Sequence, residues 1–244
     1  MVYVHDLSEF GMTSQTPIWL YGGIGEFIDM FERDSLPAKK VVSYEDDNPE
    51  SLPSADCFTN VHADTNQIFR NITCLSEFFS GPGDTYTAWK RHRPNKVAFR
   101  TSIDQLCEGL SEERFEVHVV PVRNYGSIEA VSISPGSSTP SRVTVSDFVS
   151  QFSYKDENYE QEQAIRLVGI HNGGINDDSF FDFQGVRRAN MRETERISAD
   201  LDSLIEEVII SPFAGEWVAD MLQEYVEDDF DVTDFVNASQ LNSN

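Results

Sequence analysis

The chain has 244 residues, with 42 Asp and Glu against 18 Lys and Arg, giving a formal net charge of -24 at pH 7. Its hydrophobic share of 39% and aromatic share of 11% are enough for a real core, which excludes wholesale disorder. No run of about 18 apolar residues occurs, excluding a transmembrane helix, and the charge sets most of the surface against DNA, RNA and anionic membranes.

The chain opens with a short apolar stretch, "VYVHDL". Then "PIWLYGGIG" leads into "EFIDMFERD", where Phe27, Ile28 and Phe31 line one face of a helix that Pro37 ends. The glycines of "GGIG", Gly22 to Gly25, lack phosphate-loop spacing and read as a tight turn. Ser43 to Asp56 is acidic and twice interrupted by Pro, the pattern of an exposed loop. In "NQIFRNITCLSEFF", Ile68, Ile72, Leu75 and Phe79 follow one another at spacings of four, three and four. That predicts a helix, stopped by "SGPGD".

The middle of the chain reads as strands. "KVAFRTS" is one, followed by a helix in "SIDQLCEGL" with Ile103, Leu106, Cys107 and Leu110 inward. Three β-branched stretches come next, "RFEVHVVPVRN", "SIEAVSIS" and "SRVTVSDFV", separated by "NYGS" and "SPGSSTP". "AIRLVGI" adds another, ending at "HNGG". Connections this short predict an antiparallel meander. The last third turns helical. "RRANMRETERISADLDSLIEEVII" places Ile197, Leu201, Leu204, Ile205 and Val208 on one stripe. Ser211 and Pro212 then start a helix carrying Phe213, Trp217, Met221, Leu222 and Tyr225 on one side.

The expected architecture is therefore a single α+β domain over 1–244. Residues 1–88 are rich in helix and loop, and 96–171 form an antiparallel sheet of about four to five strands. Helices fill 185–226, and 227–244 is an acidic tail.

Chemistry is harder to find. Cys57, Cys74 and Cys107 make an odd count at irregular spacing, which suits reduced thiols. The N-terminus has neither a basic start nor an apolar core, so the expected location is cytoplasmic or in a virion, without a signal peptide. The sequons at Asn71 and Asn237 are then read as chance. Cys57, His62, Asp64 and Cys74 match no familiar zinc spacing, and His171 to Asp178 has the wrong ligand order for a calcium loop. The five histidines are scattered, with no nucleophile elbow beside any of them. No catalytic residue, cofactor or metal is expected.

Charge patterning says more. "WKRHRPNK" gathers Lys90, Arg91, Arg93 and Lys96 in eight positions of an acidic chain. Trp89 beside them gives the aromatic-plus-cation pattern of nucleic-acid sites. One basic loop on so negative a body instead favours an acidic protein partner. The tail supplies one: "EDDFDVTDF" alternates Asp228, Asp229 and Asp231 with Phe230 and Phe235. Such a segment docks its aromatics in a groove and its acids against cations, on its own basic loop or on that of the next copy. The expected function is a non-enzymatic structural subunit, a homo-oligomer whose partners are further copies or other protein subunits. A virion component (neck, tail or capsid-associated) from a saline habitat fits the acidity and the five lysines. The rivals are an acidic inhibitor imitating nucleic acid, and an enzyme whose site is assembled from distant residues.

Overall fold

The structure is a computed structural model that describes residues 2–43, 63–91, 96–111, 114–125, 144–156, 163–175, 181–189, 191–229 and 236–241. In chain order the first half carries β1 (Val2–Val4), β2 (Pro17–Gly22), α1 (Ile24–Arg33), β3 (Ser35–Lys40), α2 (Ala63–Arg70), β4 (Thr73–Ser80), α3 (Tyr86–Arg91), β5 (Val97–Ser102), α4 (Ile103–Gly109) and β6 (Phe115–Pro121). The second half carries β7 (Arg123–Tyr125), α5 (Val145–Val149), β8 (Tyr154–Asp156), β9 (Ala164–His171), α6 (Phe183–Arg188), β10 (Thr194–Ser198), α7 (Leu201–Leu204), β11 (Glu207–Ile210), α8 (Glu216–Asp229) and β12 (Val236–Ala238). No described helix is long and apolar enough to cross a membrane.

Ten of these strands belong to one mixed sheet, and the helices are mostly short. This overturns the expected antiparallel sheet of four to five strands flanked by helical ends, since β1 with β6 and β11 with β12 pair in parallel. Two segments account for most of the difference. The helix predicted across Ile68 to Phe79 stops at Arg70, where the Thr73 hydroxyl donates to the Phe69 carbonyl at 2.9 Å. From Thr73 the chain is strand β4, buried at Thr73 to Ser76 on both faces. A strand covered on both sides loses its alternation and mimics a helical stripe. The helix predicted across 187–210 is likewise β10, one turn of α7 and β11. Its stripe residues are all buried, but on three different elements and the link between them.

Smaller differences have similar causes. The described part of "SRVTVSDFV" carries helix α5 rather than a strand, because Val145, Phe148 and Val149 bury together at helical spacing. Helix α1 ends three residues before Pro37, at Asp34, whose φ of 45° is a left-handed cap. Helix α8 starts at Glu216 rather than Pro212 and buries Val218 and Leu222, leaving Trp217 64% exposed. "KVAFRTS", "RFEVHVVPVRN" and "AIRLVGI" do contain strands, and "SIDQLCEGL" contains α4. "SIEAVSIS" lies outside the described residues.

The chain divides into two compact units. The first comprises Met1–Phe10, Leu36–Glu77 and Glu112–Ile197. Its strands run β1-β6-β9-β4, with β3 bridging β4 and β10. Strand β1 pairs with β6 in parallel, Tyr3 opposite His118, and β6 pairs antiparallel with β9 from Phe115↔His171 to Pro121↔Ile165. The core mixes aliphatic strand residues with rings, Phe69 stacking on Phe181 and meeting Phe148 edge-on. Three cations are buried with it. The Arg70 guanidinium donates to Gln151 at 2.7 Å, Arg166 to the carbonyls of Phe152 and Tyr154, and Lys155 to Glu77 at 2.5 Å. Burial lowers the Arg70 pKa to about 10.

The second unit comprises Gly11–Ser35, Phe78–Ser111 and Ser198–Asn244. Strand β2 pairs antiparallel with β5 from Pro17↔Ser102 to Gly22↔Val97, and β5 pairs antiparallel with β11. Strand β12 then joins β11 in parallel, through Val208↔Val236, Ile209↔Asn237 and Ile210↔Ala238. Helix α1 begins at Gly23, whose N–H donates to the Glu26 carboxylate at 2.7 Å, so the "GGIG" turn is a helix start. Helix α4 is capped by Ser102 and Gln105 in a reciprocal box.

Candidate interaction site

The C-terminal segment 236–241 is held at a site built by β2, β5, β11 and the turn before α3. Trp19 donates its indole N–H to the Gly81 carbonyl at 2.9 Å, and the Tyr21 hydroxyl donates to the Gly83 carbonyl at 2.8 Å. These bonds draw the 81–84 turn over the sheet. A Cβ at Gly83 would fall inside the Trp19 indole, so only glycine permits this approach. Trp89 of α3 lies edge-on to Tyr21 with centroids 5.3 Å apart. Its indole N–H donates to Asp84 Oδ1 at 2.9 Å.

Asp84 gathers the tail. Oδ1 also accepts the Ser239 hydroxyl at 2.6 Å, and Oδ2 accepts the Gln240 backbone N–H at 3.0 Å. Ser239 Oγ in turn accepts the Leu241 N–H at 3.1 Å, and the Ser239 N–H reaches the Ile210 carbonyl at 3.0 Å. Leu241 packs against a buried cluster of Trp19, Tyr21, Trp89, Ala98 and Ile209. The Asn237 side chain donates to Glu207 at 3.2 Å. Two carboxylates, three paired residues and one leucine thus fix the segment.

The predicted partner residues divide. Lys90 is exposed on α3, next to buried Trp89, and Arg91 ends that helix. Lys96 donates to the Phe213 carbonyl at 3.2 Å. Asp228 and Asp229 close α8. Arg93, Phe230, Asp231 and Phe235 lie outside the described residues. The tail does return to the neighbourhood of the basic segment, but through Asp84, Trp89 and Leu241. The side chains of the tail's acids lie outside the described residues. Trp89 is 1% exposed, so its face is closed to base stacking. Backbone pairing by Val236 to Ala238 gives no sequence signal, because three residues are too few to show alternation.

The other candidates fare differently. Cys57 and His62 lie outside the described residues, while Cys74 is fully buried against Gly169. Burial pushes its thiol far above the ordinary cysteine range. His171 Nδ1 accepts the Gly173 N–H at 3.0 Å in a 3-10 turn. Asp178 is not among the described residues.

In the first unit, two histidines 113 positions apart meet. His118 Nε2–H donates to Glu116 Oε1 at 3.0 Å, which leaves Nδ1 as the acceptor facing His5 Nε2 at 3.3 Å. Tyr3 stacks on the His118 ring, centroids 5.0 Å apart and planes 17° off parallel. His118 is 3% exposed, whereas Tyr3 on the outer strand is 38% exposed. Burial, and then His118, hold the His5 pKa below its ordinary value. Only the pairing of β1 with β6 brings these side chains together. Compared with models of protein families, with curated proteins and with solved structures, the chain matches none of them.

Proposed function

We propose that the protein is a structural subunit whose C-terminal strand links copies by adding to the sheet of a neighbour. The observation that carries this is the seat of residues 236–241: a terminal strand joined to β11 by backbone bonds and anchored by Asp84 and Leu241. Every one of those contacts is reproduced when the strand comes from a second copy, so exchange changes connectivity at little cost in contacts. Strand addition supplies affinity through main-chain bonds and specificity through one side-chain pocket. Here the pocket is the Trp19, Tyr21 and Trp89 cluster. Reciprocal exchange closes a dimer, and one-way exchange builds a ring or filament. The cations Lys90 and Arg91 at the end of α3 add charge complementarity to the acids that precede β12 in sequence.

Sedimentation velocity over a range of concentrations tests the reading. The full chain is expected to associate, and truncation after residue 235 to abolish association while leaving a folded monomer. A synthetic peptide of residues 227–244 should bind the truncated chain. A full chain that remains monomeric at high concentration overturns the proposal, as does a truncated chain that associates just as well.

A further inference from the structure

The geometry points to a partly buried site, at the sheet edge, for a divalent transition-metal ion of the zinc class, held by His5 Nε2 and His118 Nδ1, which staples β1 to β6. Two imidazole nitrogens, each about 2.0–2.1 Å from a tetrahedral ion, lie about 3.3–3.4 Å apart. The observed 3.3 Å matches that bite and is long for a hydrogen bond with a nitrogen donor. The pair is also built from behind. His118 gives its other ring N–H to Glu116 at 3.0 Å. That is the carboxylate–histidine arrangement that orients a metal ligand and fixes its tautomer. Tyr3 covers one face of the ring and limits its rotation.

Metal capture needs no net proton release. His5 moves its single ring proton from Nε2 to Nδ1, and both facing lone pairs then converge on the ion. Of the charges nearby, Arg123 pairs with Glu9 and acts on Asp6. Asp6 follows His5 in sequence, but its Oδ1 accepts both the backbone N–H and the hydroxyl of Ser8, at 2.9 and 2.7 Å. On β9, Val168 stands opposite His118 and Ile170 opposite Glu116. Arg166, opposite Val120 on the same face, is engaged with the carbonyls of Phe152 and Tyr154. No three described His, Cys, Asp or Glu side chains converge on one point. Water therefore completes the coordination, and the site is weaker than a structural zinc centre. Imidazole donors favour copper over nickel or zinc in affinity and disfavour magnesium. Because β1 is held to its unit along one parallel edge, an ion bridging His5 and His118 adds stability by mass action.

Titration of the full chain with ZnCl2 and CuCl2, and with MgCl2 as control, tests the site. Calorimetry should show one tight zinc equivalent above the diffuse background expected of so acidic a surface. The Cu2+ electron paramagnetic resonance spectrum should carry superhyperfine lines from two imidazole nitrogens. His5→Ala and His5→Gln should each remove that equivalent, the glutamine variant keeping a hydrogen bond to His118. Glu116→Gln should weaken it by about 10–100-fold. Hydrogen exchange at Tyr3 and Val4 should slow with zinc in the parent chain alone. A copper spectrum showing oxygen ligands only, or zinc binding unchanged in both His5 variants, overturns the assignment.

Discussion

His171 shows how one side chain couples this fold to pH. Its Nδ1 accepts the Gly173 N–H, and its ring stands edge-on to Phe115 at 5.9 Å. Burial, and then the nearby Arg114 guanidinium, hold its pKa below the ordinary 6.5. As pH falls past that value, the unfolded chain takes up the proton while the folded chain still resists. The contribution of His171 to stability is thus present above about pH 6.5 and is lost as pH falls toward the folded-state pKa. Protonation also ends the acceptor role of Nδ1, freeing the Gly173 N–H. Urea midpoints should therefore drop between pH 7.5 and 5.5, and drop less in His171→Gln. An equal drop in both chains would show that His171 has no part in the pH response. The five histidines look alike in sequence. What separates His171 from the His5 and His118 pair is neighbours placed by strand pairing alone.

At the scale of elements, Asp84 decides whether β12 stays in place. It accepts from Trp89, Ser239 and Gln240, and so ties α3 and the terminal strand to one turn. Asp84→Ala leaves the buried Trp89 indole N–H without an acceptor and removes two bonds from the tail. The expected loss is about 2–3 kcal/mol in chemical denaturation, mostly from the Trp89 bond. A bond to a charged group contributes about 1.5–3 kcal/mol, and water replaces much of the two more exposed tail bonds. Asp84→Asn, which keeps an acceptor, should lose less. A similar loss in both would assign the effect to charge rather than to hydrogen bonding. The sequence announces β5, α4, β6 and β9 because each keeps a clean apolar pattern with a cap or turn beside it. It hides β4, whose apolar residues fall at helical spacing, and β10 and β11, which are only five and four residues long and sit inside a helix-like stripe. The candidate site was half legible. The basic loop and acidic tail stand out as charge, whereas Asp84, Gly83 and Leu241 are ordinary loop residues until the chain is folded.

For the whole molecule, the question is what a net charge of -24 does to assembly. Like-charged copies repel, and the repulsion is screened over about 10 Å at 0.1 M salt and about 3 Å at 1 M. Two ways of linking copies then respond oppositely to salt. Coupling by tail carboxylates on Lys90 and Arg91 weakens as salt screens the attraction. Coupling by backbone pairing and burial of Leu241 strengthens, because salt removes the opposing repulsion and leaves the contacts intact. The second mode is the one favoured by the arrangement of β12, so association measured by sedimentation should tighten between 0.1 and 1 M NaCl. Unfolding free energy should rise over the same range, as self-repulsion within each copy is relieved. Association that instead falls with salt would return the ion pairs to first place. The Asp84 and Leu241 seat would then be only the intramolecular resting place of the tail.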